Sequence, residues 1–161
     1  MIFVTVGTQL PFDRLVRGVD EWASRHPEKK VFVQLGETAY RPQYCEYVPF
    51  TRQEEWERLF GEAELVVSHA GMGTILKSLD YGKPLVIMPR RMALGEIRND
   101  HQLVTVQKFS NISTIRVASD ESELNEALGS PITEGAPGIR LRSENLNALI
   151  AEIQRFTNAR A

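Results

Sequence analysis

From Ile2 to Val6 β-branched and aromatic residues follow one another without regular hydrophobic–polar alternation. That pattern predicts a strand buried on both faces, as in a parallel sheet. It stops at Gly7-Thr8-Gln9, and Pro11 then suits the first turn of a helix. Phe12, Leu15, Val16, Val19 and Trp22 recur at helical spacing until Ser24-Arg25-His26-Pro27. Val31 to Leu35, ended by Gly36, predicts a second strand, and Glu46 to Phe50 a shorter third whose Pro49 suits an end or an edge. Thr51 with Glu54 three residues on predicts a capping box opening a helix that buries Trp56, Leu59 and Phe60.

The same punctuation repeats downstream. Leu65 to Ser68 predicts a strand, His69 to Thr74 a glycine turn, and Ile75, Leu76 and Leu79 a helix that ends at Gly82. Pro84 to Pro89 is another apolar strand, followed by a polar loop from Arg90 to Asn99. Asp100 is expected to cap a helix with Leu103, Val104 and Phe109 inside, and Ile112 to Val117 to form the last strand. Asp120 and Glu123 make a further capping box ahead of Leu124 and Leu128, with Gly129 closing that helix. A connector rich in glycine and proline leads to a final helix, about 143–157, whose stripe of Leu146, Leu149, Ile150, Ile153 and Phe156 packs on the chain's own sheet or on a partner subunit. Strand and helix alternate throughout, which predicts an α/β fold. It is a doubly wound, mostly parallel sheet of about six strands in a single domain over 1–161.

Composition narrows the function classes. The 161 residues are 42% hydrophobic and 25% charged, the profile of one soluble globular domain. Lys and Arg number 19 against 21 Asp and Glu, for a net charge of −2, so the basic excess of a nucleic-acid binder is missing. No basic leader with an apolar run, and no apolar stretch of the ~20 residues that span a bilayer, is visible; the expected location is the cytoplasm. Cys45 is the one cysteine and reads as packing, while His26, His69 and His101 lack the close spacing of a metal site. A nucleophile elbow of the G-x-S-x-G type and a G-x-x-x-x-G-K-[ST] phosphate loop are absent.

Two loops face the carboxyl edge of the predicted sheet, where open α/β folds bind ligands. Ser68-His69-Ala70-Gly71-Met72-Gly73-Thr74 combines small residues, two hydroxyls and a helix start whose free N–H groups suit an anion, most simply a phosphate. The same glycines also serve a plain tight turn, and His69 either reaches a diphosphate oxygen or is a satisfied core residue. Gly7-Thr8 lies under a ligand or simply turns the chain. Gly71-Met72-Gly73 begins a dinucleotide fingerprint, but Leu76 stands at its third glycine and Pro89-Arg90-Arg91 where an acid for the ribose belongs. Those arginines either meet the 2′-phosphate of NADP in an oxidoreductase or lie in a solvated loop.

Phe3-Val4-Thr5-Val6-Gly7-Thr8 with Pro11-Phe12-Asp13-Arg14-Leu15, Val67-Ser68-His69-Ala70-Gly71, Gly82-Lys83-Pro84-Leu85 and Asn99-Asp100-His101-Gln102 closely resemble the carboxyl-terminal domain of glycosyltransferase family 28. Within that family the likeness is to small donor-binding subunits of split UDP-sugar transferases, in the dolichol pathway and in bacterial exopolysaccharide and capsule synthesis. The resemblance implies the carboxyl-terminal, donor-binding half of a GT-B enzyme. It implies an inverting transfer from a UDP-sugar to a lipid-linked acceptor, with no cofactor and no metal, completed by a membrane-anchored acceptor-binding subunit that would hold the chain at the cytoplasmic membrane face. Gly7 and Thr8 would approach the donor phosphates, His69 with the backbone of Gly71, Met72, Gly73 and Thr74 would hold the diphosphate, and Asp100, His101 and Gln102 would face the sugar. The partner would meet the Gly7-Thr8-Gln9 loop, the Arg90 to Asn99 loop and the final helix, with Arg90, Arg91 and Arg98 favouring an anionic membrane. One position departs. Relatives often carry a ribose-binding glutamate where this chain has Lys77, so ribose recognition passes to other groups such as Ser78, or Lys77 meets phosphate. No general base is visible in this half, which assigns it to the partner. A non-catalytic subunit with a relic nucleotide pocket is the remaining alternative.

Overall fold

The computed structural model describes residues 1–130; the expected final helix and the rest of residues 131–161 lie outside them. Six strands, β1 (Ile2–Thr5), β2 (Val31–Gln34), β3 (Glu46–Val48), β4 (Leu65–His69), β5 (Leu85–Met88) and β6 (Ile115–Val117), form one sheet in the order β3-β2-β1-β4-β5-β6. Every pairing is parallel, with Thr5 beside Gln34 on one side and Ser68 on the other. Five helices connect them: α1 (Asp13–Arg25), α2 (Gln53–Glu62), α3 (Met72–Tyr81), α4 (His101–Phe109) and α5 (Glu121–Gly129). The expected doubly wound α/β architecture is therefore present.

Alternation along β1 distributes its side chains between two cores. Ile2, Val4 and Val6 pack with Leu15, Val16, Val19 and Trp22 of α1 and Leu124 and Leu128 of α5. Phe3 joins Leu59 and Phe60 of α2, Ile75 and Leu79 of α3, and Val106 and Phe109 of α4 on the opposite face. With both faces covered, the central strands are apolar up to their carboxyl ends, where Thr5, Gln34, Ser68 and His69 stand. Chain reversal between β1 and β4 opens a crevice at their carboxyl ends, because the connections that follow them leave toward opposite faces.

Several helix ends differ from the sequence expectation. Thr51 and Glu54 form no capping box; α2 begins at Gln53, and its N-cap Arg52 makes no side-chain cap. Asp100 sits at the N-cap of α4 without capping it, since its Oδ1 accepts from the backbone N–H of Met92 at 2.9 Å. Asp120 does cap α5, accepting from Glu123 N–H at 2.9 Å, but Glu123 reaches back to Ser119 N–H at 2.6 Å, one residue outside the N-cap. The last strand starts at Ile115 because Ile112 is held in a turn by its own N–H and carbonyl, to Phe109 and from Ile115. Gly82 ends α3 with φ of +64°, as a left-handed closing residue should.

One buried carboxylate anchors the β2–β3 connection. Asp20 on α1 accepts from Gln43 N–H at 2.9 Å, Tyr44 N–H at 2.8 Å and the Tyr40 hydroxyl at 2.7 Å. Burial alone would raise its pKa, but these bonds and one from the Cys45 thiol outweigh it and hold the carboxyl below its usual value. Burial, with Asp20 nearby, pushes the Cys45 thiol up to about 12, consistent with a packing role. Removing Asp20 orphans three donors, so Asp20→Ala is expected to cost about 2–4 kcal/mol at pH 7 in chemical denaturation. A depressed carboxyl stabilises the fold above the unfolded-state pKa and loses that contribution as pH falls through the folded value. The gap between parent and variant should therefore narrow below about pH 4; a gap that is flat with pH would remove the charge from the explanation.

Candidate functional site

The crevice between β1 and β4 is a cleft of about 810 Å³. Val6 to Leu10 form one wall, His69 and Gly71 to Thr74 the floor, and Arg90, Ile97 to Asn99, His101 and Gln102 the other wall. Among the described residues no aspartate or glutamate lines it, although the whole chain is net acidic. The α3 N-terminus opens onto this space. Gly71 is its N-cap and supplies no side-chain cap, and among the described residues no protein group takes the N–H of Met72, Gly73 or Thr74. Those three donors and the positive end of the helix dipole face the cleft.

Close backbone approach sets the shape. Gly7 has φ of +81°, and a Cβ built on it would lie 2.8 Å from His69 Cε1. A Cβ on Gly71 would lie 2.2 Å from His69 Nε2. The imidazole is thus held between two glycine backbones. Ser68 Oγ donates to Thr5 O at 2.9 Å and stands 3.3 Å from His69 Nδ1, which places the ring proton on Nδ1 and leaves Nε2 bare. Burial first, then the nearby Arg90 charge, lower the His69 pKa to about 4, so the ring is neutral at pH 7. A Cβ on Gly73 would meet nothing within 4 Å among the described residues, so none of them demands glycine there.

Arg90 overturns the solvated-loop expectation. It is 3% exposed and its Nη2 donates to Val6 O at 2.8 Å and Leu10 O at 2.6 Å, bracketing the Gly7 to Gln9 turn. The guanidinium lies 4.9 Å from the centroid of the Phe12 ring, and its buried Nε has no partner. Burial lowers its pKa to about 10, which leaves it charged at pH 7. Arg91 is engaged as well, its Nη2 donating to Ser119 O at 2.6 Å. Glu96 receives Arg14 in a two-point bond of 2.7 and 2.9 Å and also Arg91 N–H at 2.9 Å, which fixes the loop carrying Ile97 to Asn99 over the cleft. Of the three arginines proposed to face a membrane, only Arg98 is exposed.

The remaining sequence candidates separate by position. Thr8 and His101 are exposed on the cleft walls, and the His101 Nδ1 contacts Asn99 Oδ1. Gln102 is buried, with Oε1 accepting from Arg90 N–H at 3.0 Å, and reaches the cleft wall. Ser68 is 0% exposed beneath the cleft and acts on His69 rather than on a ligand. Asp100 is committed to Met92 and does not line the cleft. Lys77 instead lines an adjoining chamber of about 470 Å³, which shares Gly7, Thr8, Gly73 and Thr74 with the cleft. Its Nζ is 3.0 Å from Glu57 Oε1. Ser78 is unavailable for a ribose, being fully buried with its hydroxyl donated to Lys83 O at 2.6 Å. Sequence reasoning named Arg90 but missed its buried role, and it missed Glu57 and the Arg14–Glu96 clasp. Glu96 offered a signal, as the only acid between Arg90 and Arg98.

A family model for the glycosyltransferase family 28 C-terminal domain matches residues 1–154. The human UDP-N-acetylglucosamine transferase subunit ALG13 is 31% identical over 112 residues, covering 63% of this chain and 9% of that protein. The subunit of the same name from Eremothecium gossypii is 35% identical over 92 residues, 56% of this chain and 43% of its own length. The chain thus spans less than half of the curated relatives it matches. Among solved structures, the solution structure of ALG13 superposes with a TM-score of 0.61 at 21% identity, over 84% of this chain and 87% of that one, a likeness of fold.

The glycine-flanked imidazole is directly measurable. In NMR titration the His69 ring is expected to stay in its Nδ1–H form down to about pH 4. Gly71→Ala should displace the ring toward solvent and bring its midpoint toward the ordinary histidine value, whereas Gly73→Ala should leave it unchanged. A parent midpoint near 6.5 would contradict the buried, neutral ring.

Proposed function

The chain belongs to the glycosyltransferase family 28 C-terminal domain family, and from that premise we propose that it is the donor-binding subunit of a two-component glycosyltransferase. It takes a UDP-sugar, and an acceptor-binding partner attached to the membrane presents a lipid-linked acceptor at the cytoplasmic face. Transfer inverts the anomeric centre and uses no metal. One observation carries the reading: a cleft that, among the described residues, has no carboxylate, with three helix N–H groups unpartnered on its floor and Arg90 in its wall. A diphosphate leaving group gains negative charge as the glycosidic bond breaks, and donors already aimed at that position stabilise it without reorganising.

The residues take the following parts. The N–H groups of Met72, Gly73 and Thr74 hold the diphosphate, Gly7 and Thr8 lie against it, and Arg90 and Arg98 supply positive charge. His101 and Gln102 stand where the sugar would extend along the opposite wall. His69 meets a phosphate oxygen with a proton on Nε2, reached by exchange of tautomer or by a second protonation that the ligand's charge favours. The base that removes the acceptor's hydroxyl proton is assigned to the partner. Two names of relatives support a split enzyme, since both proteins are described as transferase subunits. No helix of the described residues is long and apolar enough to cross a membrane, which fits attachment through a partner. An NADP oxidoreductase loses its basis, because Arg90 is tied to the backbone of Val6 and Leu10 instead of standing free for a 2′-phosphate.

Binding tests the site. UDP should raise the melting temperature and NADP should not. Gly73→Val should abolish UDP binding with the fold kept, because its side chain enters the space where the ligand meets the backbone. His69→Ala should weaken UDP-sugar binding by about 1–3 kcal/mol. The diphosphate of a UDP-sugar does not titrate between pH 8 and pH 6, so a loss that grows over that range marks His69 binding as an imidazolium and a flat one marks the neutral Nε2–H tautomer. Unaltered UDP affinity in Gly73→Val would reduce the glycine loop to a turn.

Activity tests the assembly. The chain alone should transfer no sugar, and co-expression with the membrane-attached subunit should restore transfer. Full activity of the isolated chain would overturn the two-component reading. A partnered chain that binds no nucleotide would mark the pocket as a relic.

A further inference from the structure

The chamber beside the cleft contains an ion pair with no evident structural task. Glu57 of α2 and Lys77 of α3 meet at 3.0 Å, with side chains 41% and 27% exposed. Exposed pairs of this kind contribute little stability. Both residues nevertheless line the chamber, and the chamber joins the cleft along Gly7, Thr8, Gly73 and Thr74. Thr74 and Lys77 are three residues apart on α3 and share a helix face. A ligand whose diphosphate rests on the Gly73 and Thr74 amides therefore carries its next unit one helical turn further, toward Lys77 and Glu57.

The polar groups of the chamber differ in what they have left to offer. Gln34 is committed at both ends, its Oε1 accepting from Thr5 Oγ1 at 2.6 Å and its Nε2 donating to Gly7 O at 3.3 Å and Pro49 O at 3.4 Å. Thr5 spends its hydroxyl hydrogen on Gln34 and accepts from Trp56 Nε1 at 3.4 Å. Among the described residues Glu57 is the only carboxylate that lines the chamber. Lys77 and Gln53 both reach its Oε1, at 3.0 and 3.5 Å, and Oε2 has no partner among the described residues. Lys77, and after it Gln53, hold the carboxyl below its ordinary pKa, so it stays ionised and accepts only. Lys77 is itself braced, with Nζ 5.0 Å from the Tyr81 ring centroid. A fixed carboxylate with open acceptor positions matches a pair of adjacent hydroxyl donors, and the unit next to the diphosphate of a nucleotide carries such a pair on its ribose.

We propose that Glu57, held in place by Lys77, accepts the ribose hydroxyls of the donor nucleotide and so selects ribonucleotides over deoxyribonucleotides. Glu57 is the contacting residue and Lys77 the positioning one. The proposal rests on the UDP-sugar reading above and assigns the nucleoside half of that ligand to the second chamber.

Calorimetry with UDP and 2′-deoxy-UDP on the parent, Glu57→Gln and Lys77→Met tests it. The parent should prefer UDP by about 10-fold or more, the range of a hydrogen bond to a charged group. Glu57→Gln should lower that preference to about 3-fold or less while leaving affinity for 2′-deoxy-UDP unchanged. Lys77→Met should give an intermediate preference, because it frees the carboxylate to move without removing it. Equal parent affinity for the two nucleotides, or a Glu57→Gln variant that keeps the parent's preference, overturns the proposal and leaves the donor reading standing. A parent that binds neither nucleotide overturns both. Both residues lie on the surface of helices, and circular dichroism of the variants confirms that folding is not the variable measured.

Discussion

The His69 imidazole lies between two backbone turns that have no room for a side chain. A Cβ on Gly71 would come within 2.2 Å of the ring and one on Gly7 within 2.8 Å. This contact joins the end of β4 to the end of β1 at the point where the sheet reverses direction. It brings the β1 turn and the α3 N-terminus against one ring. The cleft floor is then made of main chain, which is what a close approach to an anion requires. Burial keeps the ring neutral, so the site carries no fixed histidine charge until a ligand supplies a reason for one.

Around that contact, arginines hold the neighbouring loops. Arg90 binds two carbonyls with one nitrogen and packs its plane against Phe12. Arg14 holds Glu96 through two nitrogens at once and also binds Pro89 O at 2.9 Å. Planar, multi-donor groups of this kind fix loops in orientation as well as in position. The loops so fixed are the β1–α1 turn and the segment after β5, the two walls of the cleft. The same guanidinium that secures the first wall leaves positive charge beside the empty helix donors.

Much of this was legible in the sequence. The run from Ile2 to Val6, the helical spacing from Phe12 to Trp22 and the left-handed Gly82 all reflect local rules, and each is found where the pattern places it. The glycine loop was legible for the same reason, because Gly71 and Gly73 stand next to a strand end. What escaped was the pairing of distant side chains. Arg90 meets carbonyls 84 and 80 positions earlier in the chain, and Arg14 meets Glu96 at a separation of 82. Hydrophobic periodicity carries no information about such partners. The capping box at Thr51 and the N-cap at Asp100 failed because each motif competes with longer-range bonds or with a shifted helix start, which the local spacing does not register.

The central claim is that the α3 N-terminus and the β1 turn together receive the diphosphate of a nucleotide sugar. It is tested most directly by adding UDP to isotope-labelled protein and following each backbone amide by NMR. The account requires the amides of Met72, Gly73 and Thr74 to shift together with Gly7 and Thr8, saturating along one binding curve, because their free N–H groups and the adjoining backbone form a single receptor. Shifts confined to another face of the sheet, or no saturable shift at these amides, would contradict it.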